Sequence, residues 1–307
     1  MAVMRLAAID VGTNSVRLLV AEVFPGRIQP LYQAQVITRL GEGLARSGLL
    51  RSSAIIRTVE AVDSFVEEAR ARGAVEVHVV ATQAVREAAN REEVLAALRE
   101  RGLRVWVLSG EEEATLGFLG ATAGLSPREE PPSAGPVLVI DVGGGSTELA
   151  WGGEKVEGVV SLPVGAVRLT EEFLTSDPPS PPEITAARNH LLEVFRAIPS
   201  LHPSLAIGTG GTLTALSAFH HRIIPYTPER VHGSSLSREE IEHLLWQLAS
   251  IPLEERRKLP AIQPERADIL VAGALLCGTI MDSLSIRRIT VSEADLLWGI
   301  LVHGVTQ

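Results

Sequence analysis

The sequence predicts an α/β protein built from two domains of one design. Strand-like apolar runs alternate with helical periodicities along the whole length. One strand–turn–strand segment occurs twice: IDVGTNSVRLLV (9–20) and IDVGGGSTELAW (140–151) share Ile, Asp, Val, Gly, Ser and Leu, six of twelve positions, at a spacing of 131 residues. The length, 307 residues, suits about two domains at roughly 100–200 residues each. An apolar fraction of 46% against 21% charged residues gives such a chain enough material for a sizeable core and excludes wholesale disorder.

Taken in order, RLAAIDV and SVRLLVAEVF read as two strands joined by the hairpin turn Gly12-Thr13-Asn14. LYQAQVITRL (31–40) alternates imperfectly and reads as a third strand. Apolar residues at Ile55, Ile56, Val59, Val62, Phe65 and Val66 form a helical face over 53–71. A strand over 75–82, a helix over 91–100 and a strand over 103–109 follow. Gly110-Glu111-Glu112-Glu113 opens a helix that runs to about Thr122, and acidic residues suit a first turn because of the helix dipole. SPREEPPSAGP (126–136) has the composition of a linker. Beyond the second hairpin, DPPSPPE (177–183) reads as a rigid loop. Helices are expected at about 183–197, 211–220, 237–250, 265–283 and 293–304, and strands at about 204–208 and 286–292.

Composition excludes several classes of function. The net charge of −9 argues against general binding to nucleic acid or to a membrane surface, which favours a basic balance. No apolar run reaches about 18 residues, the length of a spanning helix. Asp10 interrupts the N-terminal apolar stretch too early for a signal peptide, and Cys277 is a lone cysteine in an apolar run, so the cytoplasm is the expected compartment. Lys155 and Lys258 are the only lysines, and neither stands in a Gly-Lys-Ser/Thr context, so there is no P-loop. A polyanion must therefore be held by backbone amides, arginines or a metal.

Each hairpin places an aspartate, Asp10 or Asp141, at a strand end before a glycine-containing turn. Glycine lets backbone approach a ligand and present amides to an anion, and a carboxylate can hold a divalent cation directly or through water. Ser15, Ser146 and Thr147 add hydroxyls. Two such turns facing each other would clamp a phosphate chain between domains; the blander alternative is a pair of ordinary hairpins. A third turn, Gly208-Thr209-Gly210-Gly211-Thr212, runs from a strand into a helix, which suits phosphate at a helix N-terminus or close helix–strand packing. The histidines, including His220, His221 and His232, lack the spacing of a metal site, and the four tryptophans read as packing residues.

DVGTNSVRL (10–18), RLGEGL (39–44), ATQAVREAAN (81–90), SGEEEA (109–114), DVGGGSTEL (141–149), LPVGAVRL (162–169), GTGGT (208–212), VHG (231–233) and ERADILVAGALL (265–276) together resemble the exopolyphosphatase / guanosine pentaphosphate phosphohydrolase family, in motif order and over nearly the whole chain. The resemblance implies the actin-like superfamily: two ribonuclease-H-like domains, each a mixed sheet with flanking helices, at about 1–125 and 135–292, with the active site in the interdomain cleft and the last helix, about 293–307, returning to the first domain. At VSEADLLWGIL (291–301), where the family pattern has Gly-Leu-Arg, this chain has Asp295-Leu296-Leu297, so an expected arginine is missing. The chain is similar to the short form of the family, without the additional C-terminal helical module of longer relatives.

The activity so implied is hydrolysis of the terminal phosphoanhydride of inorganic polyphosphate or guanosine pentaphosphate, by positioning and charge neutralisation. Glu113 matches the catalytic glutamate that activates water. Asp141 and Glu148, with Asp10 as a further candidate, would hold Mg²⁺ or Mn²⁺. Gly143, Gly144, Gly145, Ser146 and Thr147 would cradle the terminal phosphate, and Thr13, Asn14, Ser15 and Arg17 would hold its neighbour. Arg86 matches a position near the anion, and Gly210, Gly211 and Thr212 form the third phosphate turn. For Arg86 the alternative is a surface ion pair with Glu87 or Glu93; Glu111 and Glu112 read as solvated helix-start acids. A homodimer is the assembly to test. Two other readings stay open: an ATP-dependent kinase or ATPase of the same superfamily, and a non-catalytic sensor of alarmone nucleotides.

Overall fold

The computed structural model describes residues 4–24, 27–125 and 135–304. In chain order the elements are β1 (Met4–Val11), β2 (Ser15–Phe24), β3 (Arg27–Ile37), α1 (Leu44–Ser47), α2 (Ser52–Ala71), β4 (Glu76–Ala81), α3 (Gln83–Glu87), α4 (Arg91–Glu100), β5 (Val105–Val107), α5 (Gly110–Gly124), β6 (Val137–Val142), β7 (Thr147–Gly152), β8 (Val156–Leu162), α6 (Ala166–Phe173), α7 (Pro181–Val194), β9 (Leu205–Thr209), α8 (Gly210–His220), α9 (Pro228–Val231), β10 (Ser235–Ser237), α10 (Arg238–Ala249), α11 (Leu253–Arg256), α12 (Leu270–Ser283), β11 (Arg288–Val291) and α13 (Leu296–His303). They divide into two compact units, Met1–Gly124 with Ala294–Gln307, and Leu125–Glu293.

The first unit is a five-stranded sheet in the order β3-β2-β1-β4-β5. β1, β2 and β3 pair antiparallel, and β4 and β5 continue in parallel with β1. Alternation along β1 and β2 sends Ala7, Ile9, Val11, Val16, Leu18 and Val20 to one face. There they meet the apolar stripe of α2, from Ile55 through Val59, Val62 and Val66, together with residues of α3 and α4. Ala8, Leu19 and Ala21 point the other way and are covered by Leu296, Leu297, Ile300 and Leu301 of α13. The C-terminal helix therefore belongs to the first unit's core although it is remote in sequence.

The second unit repeats this plan. Its sheet runs β8-β7-β6-β9-β11-β10. β6, β7 and β8 pair antiparallel, β9 and β11 continue in parallel with β6, and β10 adds an antiparallel edge. Each unit thus has a mixed sheet of ribonuclease-H type with flanking helices, three antiparallel strands followed by parallel ones. The second core centres on α12, in which every residue from Leu270 to Met281 is buried.

Element bounds moved where packing rather than pattern sets them. β3 starts earlier and ends at Ile37, because its edge position leaves many side chains exposed and its alternation weak. α12 starts at Leu270, since a single 3-10 turn over Pro264–Arg266 precedes it. β8 and α6 carry little pattern in the sequence: glycines interrupt it before β8, and α6 has only eight residues. Most of the linker at 126–136 lies outside the described residues. No described helix is long and apolar enough to cross a membrane.

Candidate active-site turns and their supports

In the first unit the β1–β2 turn is closed by the Gly12 amide donating to the Ser15 carbonyl at 3.0 Å. A Cβ on Gly12 would stand 3.1 Å from that oxygen, which is why glycine is needed there. The turn's own carbonyls are tied from behind. Thr38 and Arg39 donate backbone amides to Asn14 O (3.1 and 2.9 Å), and Gly41 donates to Thr13 O (2.8 Å). With its carbonyls so engaged, the turn has its amide edge left for an anion. Thr13, Asn14 and Ser15 are all buried. The Thr13 hydroxyl donates to Gln83 Oε1 at 2.8 Å, so it acts as a structural anchor and not as the free phosphate donor expected.

Arg17 also differs from expectation. Its Nε and Nη2 donate to Asp10 Oδ2 at 3.1 and 2.7 Å, and Nη1 pairs with Asp295. The guanidinium is a counter-ion between two carboxylates. Asp10 keeps its other oxygen, Oδ1, buried and without a hydrogen-bond partner, so this is the one atom it could lend to a cation. Burial pushes the Asp10 carboxyl above its ordinary value, against the opposing pull of Arg17.

Glu113 lies in the first turn of α5 and is reached by Arg86 from α3. Arg86 Nη1 donates to Glu113 Oε2 at 3.0 Å and to the Leu108 carbonyl at 2.6 Å. The partner is therefore the catalytic candidate itself and neither Glu87 nor Glu93. Glu112 serves the helix instead. It accepts from the Ser109 amide at 2.7 Å while Ser109 Oγ accepts from the Glu112 amide at 3.2 Å, a reciprocal cap. Gln83 was missed by sequence reasoning. One short helix carries both Gln83, which holds Thr13, and Arg86, which holds Glu113, so α3 joins the glycine turn to the acid.

The second unit repeats the turn. Gly143 N donates to Ser146 O at 3.1 Å, and a Cβ on Gly143 would stand 3.0 Å from that oxygen. Here the first amides of α6 hold the turn: Ala166 N donates to Gly143 O (3.0 Å), and Val167 and Arg168 N to Gly144 O (2.8 and 3.2 Å). Gly165 permits this approach, since a Cβ there would lie 2.5 Å from the Gly144 carbonyl. Gly145 stands between these pinned residues and the buried Ser146. The Thr147 hydroxyl donates to Val164 O at 2.7 Å, so its proton is engaged within the unit.

Asp141 and Glu148 are direct cross-strand partners, so both side chains leave the same face of the sheet. Glu148 is buried and accepts from Ser161 Oγ at 2.7 Å. In the first hairpin the equivalent cross-strand pair is Asp10 with Arg17, an acid with a base. Two carboxylates opposite one another repel, and a hard divalent cation relieves that repulsion. Gly210 adopts φ +84° beside Asp141; a Cβ there would collide with Asp141 Oδ1 and approach Val142 O to 3.0 Å. Gly211 lies under the Arg266 guanidinium, and Thr212 is buried against Gly273. Among the described residues no group of three or more His, Cys, Asp or Glu side chains gathers as a metal centre. Mg²⁺ nevertheless suits this donor set, because it commonly takes one or two carboxylates and completes its shell with water and substrate phosphates.

Two ribonuclease-H-like units, each with a pinned glycine turn, and a partly buried acid held by an arginine suit phosphoanhydride hydrolysis. The chain belongs to the Ppx/GppA phosphatase family, whose model matches residues 19–307. It is 35% identical to Exopolyphosphatase 2 of Mycobacterium tuberculosis, covering 98% of each chain. It is 32% identical to Exopolyphosphatase 1 of Mycobacterium bovis, over 98% of this chain and 88% of that one. Among solved structures, the Aquifex aeolicus Ppx/GppA family member matches at 34% identity and TM-score 0.81, covering 98% of this chain and 97% of the other. An exopolyphosphatase from Cytophaga hutchinsonii matches at 26% identity and TM-score 0.88, over 99% of both chains.

Proposed function

We propose that this chain releases orthophosphate from the end of inorganic polyphosphate, with Glu113 as general base. The observation that carries the reading is the Arg86–Glu113 pair and its link through α3 to the Thr13 turn. Arg86 fixes the carboxylate at one oxygen, so the acid meets the attacking water in one orientation. As the water oxygen bonds to the terminal phosphorus, its proton passes to Glu113. The bond from that phosphorus to the bridging oxygen breaks, and the bridging oxygen leaves as the new terminus of the shortened chain. In each unit the amides of the glycine turn, Gly12–Ser15 or Gly143–Ser146, suit the oxygens of a phosphate. Asp141 and Glu148 would hold Mg²⁺, which when bound would supply charge neutralisation for phosphate oxygens.

Guanosine pentaphosphate ends in the same phosphoanhydride, and its removal as orthophosphate would use the same groups. The test is phosphate release from polyphosphate and from guanosine pentaphosphate, side by side, with Mg²⁺ and no acceptor alcohol. Release from polyphosphate is the expected result, and its abolition by chelator with return on Mg²⁺ supports the metal. Phosphate transfer that requires an acceptor would replace this reading with a kinase. Nucleotide binding with no turnover of either substrate would replace it with a sensor.

A further inference from the structure

Asp295 stands at the N-cap of α13, and its two oxygens are used differently. Oδ1 accepts from the Leu297 amide at 2.9 Å, capping α13, and Oδ2 pairs with Arg17 Nη1. Asp10 holds the same guanidinium from its Nε and Nη2 side. The trio is nearly withdrawn from water, with side-chain exposures of 19% for Arg17, 9% for Asp295 and 6% for Asp10. One cation therefore faces two carboxylates beside the Gly12–Ser15 turn. That is the wrong sign for a polyanion, and at partly buried separations a unit charge matters far more than in bulk water.

We propose that Asp295 sets the affinity of this turn for phosphate chains by holding Arg17 as its own counter-ion, so that an incoming phosphate must compete with Asp295 for the guanidinium. Asp295 is thus a positioning residue that acts through Arg17. The inference rests on the polyphosphate reading above. A weakened grip has a use in hydrolysis, because orthophosphate and the shortened chain must leave after each turnover.

The variant that separates charge from capping is Asp295→Asn, since asparagine caps helices about as well as aspartate. Tripolyphosphate binding to the full chain is measured by calorimetry at two salt concentrations, in the wild type, Asp295→Asn, Arg17→Met and the double variant, with melting temperature and KM and kcat alongside. The expected result is a dissociation constant about three- to tenfold lower in Asp295→Asn, as suits the loss of one nearby like charge. KM falls, orthophosphate inhibits more strongly, and melting is little changed. In the Arg17→Met background the tightening drops to less than half that factor, because no guanidinium remains to be released. Unchanged or weaker binding in Asp295→Asn, or equal tightening in both backgrounds, overturns the proposal and leaves Asp295 as a helix cap. Failure of the wild type to bind or hydrolyse any polyphosphate overturns the functional reading itself, and this inference with it.

Discussion

Neighbouring acids in SGEEEA have separate fates because α5 turns each of them about 100° from the last. Glu112 folds back on Ser109, whereas Glu113 meets Arg86. Glu113→Gln keeps the side chain's size and an acceptor for Arg86 but cannot take a proton. Its kcat should fall by about 10²–10⁴-fold, the usual worth of a general base, with KM and melting temperature near wild type. Near-normal turnover in steady-state phosphate release would move the base elsewhere. Glu113 can be singled out in the sequence because its motif is specific. Its partners cannot, since Arg86 and Glu113 are 27 positions apart and Thr13 and Gln83 are 70 apart, and only the sheet brings them together. Hydroxyl roles were the least legible: Thr13 and Thr147 look like phosphate ligands in sequence, yet each satisfies a buried acceptor of its own unit.

At the scale of elements, the hairpins and long helices followed from apolar periodicity, and the short pieces around the site did not. α3 and α6 have five and eight residues, too few to show a period, yet they hold Glu113 and the second glycine turn. The crossing of α5 and α13 depends on glycine in both helices. A Cβ on Gly120 would collide with Asp295 O, and one on Gly299 with Leu116 O. Gly299→Ala should therefore push α13 off α5 and destabilise the protein by about 1–3 kcal/mol, the usual cost of overpacking. Because α5 carries Glu113, activity should fall further than the loss of folded protein explains; equal losses in a denaturant titration and an activity assay would argue against that coupling. At α7, Glu183 accepts from the amides of Thr175, Ser176 and Ser180 at 2.8–2.9 Å. These bonds, with the Ser176 hydroxyl foremost, hold its carboxyl well below the ordinary 4.5. A depressed folded value means the contribution is complete above about 4.5 and is lost as pH falls below it. Glu183→Ala should cost about 0.5–2 kcal/mol at neutral pH, as for a lost cap, and the difference from wild type should narrow in melts below that pH.

For the whole molecule the deciding quantity is charge. A chain with net charge −9 and two lysines has little general attraction for a long polyanion, so grip must come from focused arginines and backbone amides near the turns. Two arginines of the first unit's site are already engaged: Arg17 is held by two carboxylates and Arg86 by Glu113. A processive enzyme must keep hold of many phosphate units while one is removed, and exposed charges at such distances are screened within about 8–10 Å at ordinary salt. The expected behaviour is therefore distributive: the chain lets go between turnovers and prefers short polyphosphate. In a gel time course on long polyphosphate of narrow length distribution, the whole population should shorten gradually, with intermediates of every length. Turnover of long chains should also drop more steeply with added salt than turnover of tripolyphosphate, because more of their binding comes from screened contacts. Full-length chains that vanish without intermediates, at a rate indifferent to salt, would instead require a continuous basic track formed when copies of this chain assemble.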